Sequence, residues 1–148
     1  MLTSQIQRKN KISRDQMSSS KCEFQNQRVL FSFDSVTHRK EFNLTREKKS
    51  KNLTREYSKL FERLSDLSAK NWLELSGLPK ESGYEIMPLS SLNTDITDRL
   101  SETAEVAKDT KLYVFRFGNC RLVGYRSNAC RATLHVLGCD WNFTLYTH

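Results

Sequence analysis

Glycine and proline are scarce in this chain, five and two among 148 residues. With so few glycines there is no Gly-rich loop to wrap nucleotide phosphates in backbone N–H groups. No apolar run approaches the ~20 residues of a membrane-spanning helix, and the basic N-terminus is not followed by the hydrophobic segment of a secretion signal. A cytoplasmic protein without a membrane partner is expected. There are four cysteines, in no paired zinc pattern, and three histidines. In a reducing compartment such cysteines are small core residues rather than disulfide partners. Cys130, His135 and Cys139 are the one set that could meet around a metal if the strands aligned. Our expectation is that no metal or other cofactor is used.

The net charge is +7, spread unevenly. Residues 1–28 hold six basic and two acidic side chains, and residues 29–56 seven and four. Residues 57–110 reverse the sign with six basic and ten acidic, and residues 111–148 return to five and one. An acidic middle between basic flanks suits oriented binding to a polyanion better than uniform stickiness.

Residues 1–28 are rich in Gln, Asn, Ser, Lys and Arg and show almost no apolar period, which predicts a disordered, mobile basic tail. Residues 29–148 then form a single α+β domain. Alternation from Arg28 to Val36 predicts a strand. Leu53, Tyr57, Leu60, Phe61, Leu64 and Leu67 recur at helical spacing, with Thr54 as a plausible cap. A short second helix is expected over 69–76, closed by Gly77 and Pro79. Residues 84–89 read as a short extended piece, and the acidic segment 94–107 as helix or loop. Strands follow at about 111–118, 119–126 and 132–139, with a possible short one near 143–146. The predicted architecture is an antiparallel sheet of about four strands covered on one face by two helices.

Gly118-Asn119 between two aromatic, β-branched runs signals a two-residue hairpin turn. That turn sets Phe117 opposite Cys120, Arg116 opposite Arg121, Phe115 opposite Leu122 and Val114 opposite Val123. One face then carries Tyr113, Phe115, Phe117, Cys120 and Leu122 for burial. The other carries two like charges face to face, which is unfavourable unless an anion lies between them. An external polyanion, or a carboxylate of the 94–107 segment beside Arg121, would answer that need.

Strand, two helices and an antiparallel meander, with Tyr113 to Tyr146 running aromatic/Arg strand, Gly turn, Cys120-Arg121-Leu122-Val123, third strand and late tyrosine, resembles the RelE/ParE superfamily of bacterial toxins. The likeness spans about 110 residues in element order and about 35 in motif. It implies a toxin–antitoxin or defence protein of a mobile element, binding RNA and cutting it without a metal, with an antitoxin as partner. Arg116 and Arg121 match the family's strand arginines and Tyr146 its C-terminal tyrosine. The chain departs after the third strand, where Gly138-Cys139-Asp140-Trp141-Asn142 replaces the basic cluster of RNA-cutting members. The alternative is therefore a non-catalytic inhibitor from a phage or mobile element, gripping nucleic acid or an acidic protein surface on the same scaffold.

Cleavage by 2′-hydroxyl attack needs a base, an acid and cations around phosphorus. His135, Tyr146 and Arg121 are the catalytic candidates, with His148 a further proton carrier. Lys111, Arg116, Arg126 and Arg131 could hold phosphates, Arg through its planar fork. Tyr125 and Trp141 could stack on bases.

Overall fold

The computed structural model describes residues 27–45, 52–100 and 107–147. Residues 1–26 of the expected tail, part of the 94–107 segment and His148 lie outside the described residues.

Strands β3 (Lys111–Phe117) and β4 (Cys120–Arg126) form the expected hairpin. Gly118 adopts φ +54° in its turn, a conformation in which a Cβ is strained. The register pairs Phe117 with Cys120, Arg116 with Arg121, Phe115 with Leu122 and Val114 with Val123. Strand β5 (Thr133–Asp140) continues the meander antiparallel to β4, with a register shift between Val123 and Gly124. Gly124 is needed there, because a Cβ would lie 2.5 Å from the His135 carbonyl oxygen.

Two pairings correct the expected sheet. The 84–89 piece contains a true strand, β2 (Glu85–Pro88), antiparallel to β3. The first strand, β1 (Leu30–Ser32), lies parallel to β5, with Ser32 beside His135. The sheet is therefore mixed and five-stranded, ordered β1-β5-β4-β3-β2. β1 is shorter than its alternation suggested because the chain turns at Asp34, whose carboxylate accepts the Ser32 and Ser35 hydroxyls at 2.6 and 3.3 Å.

Helix α1 (Leu53–Ser68) and short helix α2 (Trp72–Ser76) cover one sheet face. Their Leu60, Leu67, Trp72 and Leu75 join Tyr113, Phe115, Phe117, Cys120 and Leu122 in one core. α1 starts at Asn52 rather than through a Thr54 cap, and Phe61 of the expected stripe faces outward, 67 % exposed. Arg63 is buried instead, donating to the carbonyls of Arg116, Ser82 and Gly83 and to Asp66. α2 is capped by the Asn71 side chain, which accepts from Glu74 N–H at 2.8 Å.

The second face is also sealed, by irregular chain. Phe42, Ile96, Leu145 and Tyr146 pack on Leu112, Val114, Val123 and Leu137. Residues 95–97 have no regular secondary structure and lead into a turn, so the described part of the acidic segment contains no helix. Near the C-terminus only an isolated bridge, Leu92 to Tyr146, forms where a last strand was expected. Among the described residues no helix is long and apolar enough to cross a membrane.

Candidate nucleic-acid interface

The hairpin divides the candidate residues between its two ends. At the turn end, Arg116 and Arg121 face each other as expected, but Arg116 already has its anion. Its Nε and Nη2 donate to Glu85 Oε1 at 3.0 and 2.8 Å, and its Nη1 lies 3.5 Å from Glu81. The carboxylate comes from β2, which the register brings alongside β3. No external anion is required between the arginines, and Val114 and Val123 beside them are fully buried.

Arg121 is 8 % exposed. Its Nη1 donates to the Cys120 carbonyl at 3.0 Å, and its Cζ lies 5.1 Å from the centre of the Phe143 ring. Asp140, fully buried, stands directly across from it on β5 and accepts the Thr144 N–H at 2.9 Å. Nε of Arg121 has no hydrogen-bond partner among the described residues. Tyr146 lines the same cleft as this guanidinium and feels its charge. Burial pushes the Tyr146 phenol up, Arg121 pulls it down, and Glu85 and Asp140 add to the rise. A phenol held above its ordinary range keeps its proton near neutrality and can donate one but not remove one. Arg116, Arg121 and Tyr146 line one cleft of about 540 Å³ with Lys80, Glu85 and Ser91.

At the strand end, Lys111, Tyr125, Arg126 and Arg131 line a second cleft, of about 520 Å³, with Tyr113, Ser127 and Asn128. No carboxylate is in its wall. Arg126 is held in place: its Nε donates to the Arg131 carbonyl at 2.6 Å and its Cζ sits 4.0 Å over the Trp72 ring. Burial lowers its pKa, with Tyr113 opposing. It remains a cation, since arginine stays charged in proteins. Arg131 returns the contact through Nη1 to the Arg126 carbonyl at 3.4 Å. Lys111 is exposed at the first residue of β3.

His135 belongs to the strand end. Its ring stacks on Tyr125, with centroids 5.0 Å apart and planes 19° from parallel. Its Nε2 is 3.3 Å from Ser127 Oγ and its Nδ1 3.9 Å from Asp34 Oδ1. His135 and Asp140 are five residues apart on β5, about 16 Å at the rise of a strand. Because Arg121 faces Asp140, the expected trio of His135, Tyr146 and Arg121 does not assemble on one phosphate. Trp141 is not an open stacking platform either. It is 4 % exposed, stands edge-on to Tyr57 and Phe117, and donates Nε1–H to the Asn43 carbonyl at 3.0 Å.

Cys139 is buried in the helix-side core while Cys130 is exposed in the β4–β5 loop. Among the described residues no three His, Cys, Asp or Glu side chains gather as metal ligands. Sequence reasoning missed Glu85, Lys80, Ser127 and Asp34. Glu85 carried a faint signal, since it occupies a strand position across from the β3–β4 hairpin. Lys80 and Ser127 sit in loops whose course no periodicity encodes.

No family model, curated protein or solved structure matches this chain.

Proposed function

We propose that this chain is an RNA-binding protein of RelE-like architecture that grips a single strand in the strand-end cleft. One observation carries the proposal: Lys111, Arg126, Arg131 and Tyr125 line a single cleft with no carboxylate in its wall. Guanidinium and ammonium groups attract phosphates, and a tyrosine backed by a stacked imidazole offers a flat partner for an unstacked base. The order strand, two helices, meander supports the toxin-like scaffold. A tight protein partner of the antitoxin kind is compatible with it, as is the inhibitor alternative, since both employ the same scaffold.

Cleavage is the second reading, and the Arg121–Tyr146 contact in the turn-end cleft favours it. A protonated phenol beside a buried guanidinium suits protonation of a leaving oxygen. His135 serves no part in that version, being at the other end of the hairpin.

Both are tested by inducing the full chain in a bacterial host and measuring RNA retention in parallel. Under the binding reading, Lys111→Ala and Arg131→Ala weaken retention while Tyr146→Phe does not. Growth arrest with messenger-RNA fragmentation that Tyr146→Phe abolishes would establish cleavage instead. Retention unchanged by both cation variants would reject the strand-end cleft.

A further inference from the structure

The strand-end cleft has a second chemical character that phosphate binding leaves unexplained. Ser127 is in its wall, His135 lies directly behind Ser127, and Asp34 lies behind His135. The three come from separate parts of the chain. Ser127 opens the β4–β5 loop, His135 is on β5, and Asp34 follows β1. The parallel pairing of Ser32 with His135 is what brings Asp34 within reach.

We propose that Ser127, His135 and Asp34 form a nucleophilic relay, which gives the cleft hydrolytic activity toward esters carrying a negative charge. The hydrogen-bond directions are consistent with this. Ser127 Oγ accepts the Cys130 N–H at 3.4 Å and lies 3.3 Å from His135 Nε2, so its own hydrogen is available to that nitrogen. The relay uses the tautomer in which Nε2 is unprotonated and Nδ1, 3.9 Å from Asp34 Oδ1, carries the hydrogen. Tyr125 stacks on the imidazole face and fixes its plane. A base behind a hydroxyl, oriented by a third group, is the geometry that activates a serine.

Asp34 acts by charge rather than by a direct hydrogen bond, because 3.9 Å exceeds hydrogen-bond reach and its side chain is 76 % exposed. Its share of the activation is correspondingly small. The cations decide the substrate class. Lys111 and Arg131 border the cleft, so a neutral ester gains little there while one bearing a carboxylate or phosphate is held.

In the reaction, Ser127 Oγ attacks the ester carbonyl carbon and its proton passes to His135 Nε2. The carbon–oxygen bond to the alcohol breaks, and that alcohol leaves with the proton from Nε2. Water then adds to the acyl-serine with His135 again taking the proton, and collapse returns it to Ser127 and releases the acid. Atoms and charge balance with water as the only co-reactant.

The relay is independent of the RNA reading, although it shares the cleft. Its test is covalent capture of the full chain by diisopropyl fluorophosphate, in which the serine oxygen bonds phosphorus and fluoride leaves. Mass spectrometry then locates the adduct. Ser127 is expected to react faster than any other serine, at least tenfold slower in His135→Gln and two- to fivefold slower in Asp34→Asn. 4-Nitrophenyl hemisuccinate is expected to turn over faster than 4-nitrophenyl acetate. That preference should disappear in Arg131→Ala, and both activities in Ser127→Ala. Labelling of Ser127 no faster than of other serines, or hydrolysis unchanged in Ser127→Ala, would overturn the relay. Ser127→Ala, at a half-buried loop residue, and Asp34→Asn, at an exposed one, are small changes, so the test stands even if His135→Gln disturbs the strand. RNA that slows the labelling is expected if a strand occupies the same cleft. Labelling indifferent to saturating RNA counts against the RNA reading and leaves the nucleophile in place.

Discussion

Arg63 shows how a single side chain can join three elements. Its guanidinium meets the carbonyls of Arg116 on β3 and of Ser82 and Gly83 before β2, and the Asp66 carboxylate on its own helix. Removing it strips three backbone carbonyls, that of Gly83 buried, of their donor and removes a buried side chain from under α1. Arg63→Ala is expected to cost about 2–4 kcal/mol, read as a lower midpoint in urea unfolding. Asp98 clasps the opposite face, accepting from the Thr37 hydroxyl and from His38 N–H. Burial raises the Asp98 carboxyl, but these hydrogen bonds outweigh it and hold it below its ordinary value of 3.8. A carboxyl lowered on folding contributes stability that is complete above the unfolded pKa and disappears as the pH falls through the folded one. Unfolding of the wild type should therefore become easier below about pH 4. Asp98→Asn should lose that part of the acid dependence and cost about 1 kcal/mol at neutral pH, a modest figure because the group is largely exposed.

Among the elements, the hairpin and α1 were the most legible in the sequence. A Gly-Asn turn fixes register by local chemistry alone, and a six-position apolar stripe has no competing explanation as a strand. β2 and β1 were less so. Period-two alternation is the same for parallel and antiparallel neighbours, and the partner of Leu30 is Thr133, a hundred residues away. The second core was invisible for a related reason. Phe42, Ile96 and Leu145 lie in irregular segments, where no period announces which way a side chain points. The candidate cations were identifiable as residue types, but which end of the hairpin each would serve depended on the fold. Glu85 supplies from within the protein the anion that Arg116 was expected to take from outside. The register shift between β4 and β5, where Leu137 is skipped opposite Val123 and Gly124, supplies a test at this scale. Gly124→Ala places a Cβ against the His135 carbonyl and the Leu134 side chain, and is expected to cost about 1–3 kcal/mol by forcing β4 and β5 apart. Amide exchange of β1, β4 and β5 should rise while α1 is affected less.

At the scale of the whole molecule, both faces of the sheet are occupied, one by helices and one by loops, so ligands are left with the ends of the strands. The turn end mixes cations with Glu85, while the strand end presents Lys111, Arg126 and Arg131 without a carboxylate in the cleft wall. That asymmetry is the basis of the proposed RNA grip. It is tested most directly by the affinity of the full chain for a short unstructured RNA across a salt series. For the wild type, log affinity should fall linearly with log salt, and each of Lys111→Ala and Arg131→Ala should reduce the slope by about 0.7, the value for one phosphate contact on a single strand. A slope unchanged in both variants would contradict the account.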